Sequence, residues 1–184
     1  MVRPQRKEPT MNIYVASSWR NDYQPEVVKR LKAEGHEVYD FKNPSETRHG
    51  FHWSEVDHNW QEWTPEQLRA SLQTSPIAQE GFDSDWNAMK AADACVMVMP
   101  CGRSAHLEAG YFIGANKPCI ILLTKSEPEL MYKMATAICL DMDEVVAELK
   151  KAIAQVWCNN ADAPHFIGIA VANVAAIERI DIRE

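Results

Sequence analysis

A glutamate, an aspartate, an arginine and a serine cluster around one strand–helix junction, and their types suit chemistry. Within Ala94 to Leu123, an apolar run from Cys95 to Met99 stops at Pro100, and Gly102, Arg103 and Ser104 follow as a loop. A helical segment carrying Glu108 ends near Gly114, and Lys117-Pro118 opens the next apolar run, Cys119 to Leu123. Such strand–loop–helix–strand units build parallel sheets that take ligands at the carboxyl ends of their strands. Glu108 is expected about one turn into the helix, facing the crevice, where the helix dipole and orphan N–H groups keep a carboxylate ionised. An ionised carboxylate there suits a nucleophile or a cation stabiliser, against the commoner fate of a solvated helix glutamate. Gly102, Arg103, Ser104 and the helix N-terminus together suit an anion, and the plainer alternative is an N-cap by Ser104 beside a solvated Arg103. Asp83 and Asp85 lie in the helix that leads into this strand. Asp85 paired with Glu108 suits acid plus nucleophile work on a glycosidic bond, whereas helix-terminus charge complementarity is the alternative for either aspartate.

The segment Lys42 to Thr64 gathers Trp53, Trp60, Trp63, Phe51, His49, His52 and His58 among acidic residues. Long aromatic loops in compact domains are usually functional or partner surfaces. Trp19 and Trp53 sit on loops and are the candidates for stacking on a base; the other tryptophans are assigned to packing. His49, His52, Asp57 and His58 fit no common zinc spacing, so no metal is expected, and no organic cofactor either. The five cysteines contain no CxxC pair, and three fall in expected strands, which reads as buried free thiols. Cys101 is the one beside the candidate site.

Those groups need a scaffold. Strands are expected at Asn12–Ala16, His36–Phe41, Cys95–Met99, Cys119–Leu123 and Ala137–Leu140. Helices are expected at Tyr23–Glu34 with Gly35 as the stop, from Thr64-Pro65 to about Leu72 with Gln67 at the capping-box position and Ser75-Pro76 as the break, from about Ile77 or Gly81 to Ala92 carrying Asp83 and Asp85, over Glu127–Met134, and over Asp141–Trp157 with Asp141 as cap. Four or five strands alternating with helices imply a three-layer, flavodoxin-like α/β domain with a central parallel sheet. Residues 1–10 read as a disordered leader, 11–157 as the domain, and 158–184 as a tail with an apolar run that fits either a helix on a neighbouring subunit or a strand pair. A composition of 46% hydrophobic and 24% charged residues is that of a globular protein. The net charge of −7 argues against a surface that wraps a nucleic-acid polymer, while leaving room for one phosphate. No apolar run approaches the roughly 20 residues that cross a bilayer, and no secretory signal is present, so a cytoplasmic protein is expected.

Asp85-Trp-Asn-Ala-Met-Lys-Ala-Ala-Asp93, the strand Cys95–Met99 and Gly102-Arg-Ser-Ala-His-Leu-Glu-Ala-Gly-Tyr111 resemble the nucleoside 2-deoxyribosyltransferase-like superfamily, which includes nucleoside 5′-monophosphate N-glycosidases. The resemblance spans roughly residues 11–151. It implies a flavodoxin-like fold, a homodimer or higher homo-oligomer, a small nucleotide or nucleoside substrate and no cofactor. It also implies Glu108 as the residue that attacks C1′, Asp85 as the residue that assists base departure, and Tyr14, Ala16, Ser17 and Trp19 as lining of the sugar and base pocket. The chain departs from the transferase pattern in the loop before Glu108. An aspartate that contacts the 5′-hydroxyl in true deoxyribosyltransferases is absent here, and Gly102-Arg103-Ser104 stands in its place. Arg and Ser welcome a phosphate that an acid would repel. The expected activity is therefore hydrolysis of the N-glycosidic bond of a nucleoside 5′-monophosphate or related nucleotide. The alternatives are base transfer, an NAD-type glycohydrolase, or a nucleotide-binding sensor without turnover.

Overall fold

The computed structural model describes residues 10–45, 47–125 and 128–161, with side chains as far as Gln155. The leader, apart from Thr10, and the tail beyond residue 161 lie outside the described residues. Five short runs of alternating or continuous apolar residues form strands: β1 (Asn12–Ala16), β2 (Glu37–Asp40), β3 (Ala94–Val98), β4 (Cys119–Leu122) and β5 (Ala137–Cys139). Between and after them lie α1 (Gln24–Ala33), α2 (Pro65–Thr74), α3 (Pro76–Ala91), α4 (Arg103–Gly114) and α5 (Met142–Ala161). All strand pairs are parallel, in the order β2-β1-β3-β4-β5. This is the doubly wound, flavodoxin-like order, whose switch point lies between β1 and β3.

Alternation along the strands sorts the core into two layers. Ile13, Val15, Val96, Val98, Ile120 and Leu122 point to one face, where Val27 and Leu31 of α1 and Val145, Leu149 and Ile153 of α5 cover them. Tyr14, Ala16, Cys95, Met97, Cys119 and Ile121 point to the other, under Met89 of α3 and Ala105, Ala109 and Phe112 of α4. The two-residue period of a strand forces this division.

Helix boundaries follow local chemistry. Thr64 and Gln67 form the reciprocal capping box, with Gln67 N–H donating to Thr64 Oγ1 at 3.3 Å and Thr64 N–H to Gln67 Oε1 at 2.8 Å. Ser75 caps α3, Asp141 accepts from Glu144 N–H at 2.9 Å, and Gly35 ends α1 with φ +93°. Some expectations shift. Of the helix expected over 127–134, residue 127 lies outside the described residues and Leu130–Met134 form a short 3-10 turn, and Arg103 and Ser104 belong to the first turn of α4 instead of a loop. Helix α5 also runs past Trp157 to Ala161. Among the described residues, no helix is long and apolar enough to cross a membrane.

Candidate active site

The spacing of buried residues shows why two carboxylates end up over the sheet. On α4, Ala105, Ala109 and Phe112 form the sheet-facing stripe, and Glu108 falls inside it, three residues after Ala105 and four before Phe112. On α3, Ala78, Gly81 and Met89 form the stripe, and Asp85 sits midway, four residues from Gly81 and four from Met89. Each acid thus takes a slot that the helix period reserves for an apolar side chain. Both are half-buried, above a floor made by Tyr14 and Tyr39.

The floor comes from register. Tyr14 of β1 pairs with Tyr39 of β2, and their rings stack with centroids 5.4 Å apart and planes at 15°. Tyr39 donates its hydroxyl to Asp85 Oδ1 at 2.8 Å and lies 2.9 Å from Ser84 Oγ. Tyr14 is fully buried, and its hydroxyl has no hydrogen-bond partner among the described residues. It lies near enough to Glu108 to favour the ionised form.

Burial dominates the electrostatics. It pushes the Glu108 carboxyl up to about 7, with the Asp85 charge adding to the effect and Tyr14 opposing it. Asp85 is also raised by burial, with the Tyr39 hydrogen bond pulling the other way. The expectation that Glu108 is held ionised by the helix terminus is therefore corrected. The side chain projects onto the sheet, where loss of water favours the neutral acid. Both acids are thus shifted toward the protonated form, and as neighbours they titrate as a coupled pair. Burial and then the Glu108 charge push the Cys101 thiol up to about 11, so it is a thiol at neutral pH and no ready nucleophile. Cys95, Cys119 and Cys139 are free and buried.

The other candidates take varied places. Gly102 is the N-cap of α4 and offers no side-chain cap, so Ser104, second in the helix, is not the cap that its residue type allowed. Gly102, Arg103 and Ser104 are exposed at the carboxyl end of β3, and Arg103 makes no salt bridge among the described residues. Ala16 is buried at the end of β1. Ser17 donates to the Val98 carbonyl at 2.9 Å, and Asn21 donates to the carbonyls of Val98 and Pro100 at 3.2 and 3.1 Å. These bonds staple the loops after β1 and β3 together at the switch point. Trp19 stays 42% exposed on its loop and meets Phe41 edge-on. Trp53 is packed between Phe51 and Trp63 in the aromatic insertion. Asp83 points outward and accepts from Gln79. Asp57 accepts from Trp63 Nε1, and His52 caps a 3-10 turn, so both serve the insertion's own structure. Among the described residues, no group of three His, Cys, Asp or Glu side chains comes together as a metal site.

Several site residues had no sequence signal. Tyr39 sat unremarked in an expected strand, and only the β1–β2 register brings it to Asp85. His106 bonds Gly102 O at 2.8 Å through Nδ1 and Tyr132 OH at 3.0 Å through Nε2, which holds the loop before α4. Arg48, His49, Phe51 and Glu55 of the insertion close a cavity of about 60 Å³ against Tyr39, Ser84 and Asp85. That is well under the ~150 Å³ that accommodates a benzene ring, so in this conformation it has room for water beside Asp85 and not for a base.

Fold and site together define a doubly wound α/β domain with a half-buried carboxylate pair over its sheet. No family model and no curated protein matches the chain. Among solved structures it is similar to a 2-deoxyribosyltransferase from Bacillus psychrosaccharolyticus. The identity is 20%, the match covers 74% of this chain and 90% of that one, and the TM-score is 0.47. At that level the likeness adds nothing to the sheet order, and the functional reading rests on the site's own geometry.

Proposed function

We propose that the protein hydrolyses the N-glycosidic bond of a nucleoside 5′-monophosphate or a related nucleotide. One observation carries the reading: Glu108 and Asp85 come from two helices on the same face of the sheet, near enough for the Asp85 charge to act on Glu108, and burial raises the pKa of each. Paired carboxyls in surroundings that make them share a proton are suited to one acting as acid while the other acts as nucleophile.

Glu108 carboxylate attacks C1′ as the C1′–N bond breaks, and that electron pair goes to the base nitrogen. Asp85 delivers its proton to the departing base. Positive charge developing at the sugar favours an ionised Glu108, which moves the shared proton to Asp85 at the moment it is needed. Water then attacks C1′ of the glycosyl ester, Asp85 carboxylate takes its proton, and Glu108 leaves as a carboxylate. The uncapped N–H groups of α4, with Arg103 and Ser104, would hold the 5′-phosphate at the other end of the substrate. Trp19, exposed beside the β1 loop, is the side chain available for stacking on the base.

The test is chromatography of ribo- and deoxyribonucleoside monophosphates, free nucleosides and NAD after incubation with wild type and Glu108→Ala, with and without an acceptor base. Free base released from a monophosphate by wild type alone supports the reading. Release from nucleosides but not monophosphates overturns the phosphate assignment, and a new nucleoside formed only with acceptor marks a transferase. Tight binding of an unchanged nucleotide would instead mark a sensor.

A further inference from the structure

The two oxygens of Asp85 have unequal surroundings. Oδ1 accepts the Tyr39 hydroxyl, while Oδ2 has no hydrogen-bond partner among the described residues. A phenol carries one proton, and Tyr39 commits it to Asp85. The Tyr39 oxygen must then accept from Ser84, whose hydroxyl lies 2.9 Å away. The chain from Ser84 through Tyr39 to Asp85 therefore runs in one direction. Strand pairing opposite Tyr14 places Tyr39, and the ring stack supports its side chain in that position.

We propose that Tyr39, backed by Ser84, is a positioning residue that makes Asp85 a directed acid, by occupying Oδ1 so that the transferable proton sits on Oδ2. This rests on the N-glycosidase reading above. As the base departs, the proton on Oδ2 passes to its nitrogen and Asp85 becomes a carboxylate. The Tyr39 hydrogen bond strengthens as that charge develops, so it stabilises the transition state more than the ground state. Water returns the proton to Oδ2 in the second half. Tyr39 gives up no proton at any step; burial raises its phenol far above neutral. The other groups around Asp85 are Tyr14 from β1, Glu108 from α4, and Arg48, His49, Glu55 and Glu80 around the cavity, with Arg48 paired to Glu80 at 3.0 Å. Of the neighbours, only Tyr39 hydrogen-bonds the Asp85 carboxylate among the described residues.

Tyr39→Phe keeps the ring and its stack and removes only the hydroxyl. Carbon-13 carboxyl NMR of the full chain, with Asp85→Asn for assignment, reads the aspartate directly. Asp85 should titrate about one unit higher in Tyr39→Phe, because a hydrogen bond to its charged form is lost. Ser84→Ala should move it the same way by less. In kinetics, kcat on purine deoxynucleoside 5′-monophosphates should fall ten- to a hundredfold with KM nearly unchanged. Turnover of 4-nitrophenyl 2-deoxyribofuranoside 5-phosphate, whose leaving group needs no proton, should fall less than threefold. An unmoved or lowered Asp85 titration overturns the proposal, as does an equal loss on both substrates. If wild type cleaves neither substrate, the glycosidase reading fails, and with it the acid role; a titration still shifted upward would then leave Tyr39 as the residue that orients Asp85 in a different reaction.

Discussion

Glu108→Gln should make the protein more stable, and the gain should depend on pH. Burial and the Asp85 charge raise the Glu108 carboxyl from 4.5 to about 7. That difference, 7 − 4.5, is about 2.5 units, and at 1.36 kcal/mol per unit it corresponds to about 3.4 kcal/mol against the charged form in the fold. Solvent reaches part of the half-buried side chain, which brings the working figure to about 2 kcal/mol. The folded pKa lies above the unfolded one, so between pH 4.5 and 7 the native state binds more protons and stability falls as pH rises. Glutamine carries no such burden. Urea unfolding of wild type and variant should differ by under about 0.5 kcal/mol at pH 4.5 and by about 2 kcal/mol in the variant's favour at pH 8. A difference that stays flat across this range, or a variant less stable at pH 8, would refute the assignment of Glu108 as a desolvated acid held ready at a cost in stability. The experiment needs no substrate.

Three other expectations follow from the same geometry. Because activity needs one proton on the carboxylate pair, kcat/KM should be bell-shaped, with the high-pH limb near the Glu108 value of about 7; a rate that climbs steadily to pH 9 would contradict a protonated acid in the pair. Arg103→Ala should raise KM for a 5′-monophosphate about ten- to a hundredfold, the worth of one charge-assisted hydrogen bond, and leave the free nucleoside unaffected. An equal effect on both would place the phosphate elsewhere. Gly50→Ala should unfold or strongly destabilise the aromatic insertion, since its Cβ would stand 1.7 Å from the Phe41 carbonyl oxygen. Thermal melting showing less than about 1 kcal/mol of loss would mean that this backbone contact relaxes easily.

The chain alone determined its elements. Strands came from apolar runs bounded by Gly, Pro and Asn, and helix starts from Thr64-Pro65-Glu66-Gln67 and Asp141, because such signals act over three or four residues. The alternation of strands and helices also fixed the layered parallel architecture, since parallel neighbours require crossovers. Glu108 and Asp85 were legible as candidate acids through residue type, place at a strand end and family resemblance. Their electrostatic state was not. Local sequence suggested a carboxylate steadied by a helix terminus, whereas the tertiary structure turns it toward the sheet and removes part of its water. The Tyr14–Tyr39 stack, the one-way hydrogen bonds into Asp85, and the closure of the Arg48–Glu55 segment over Ser84 were likewise decided by the fold. Each joins residues 25 or more positions apart, and only strand register and helix packing set those distances. Local patterning selects the elements; which side chains lose their solvent, and beside which charges, is settled when the elements meet.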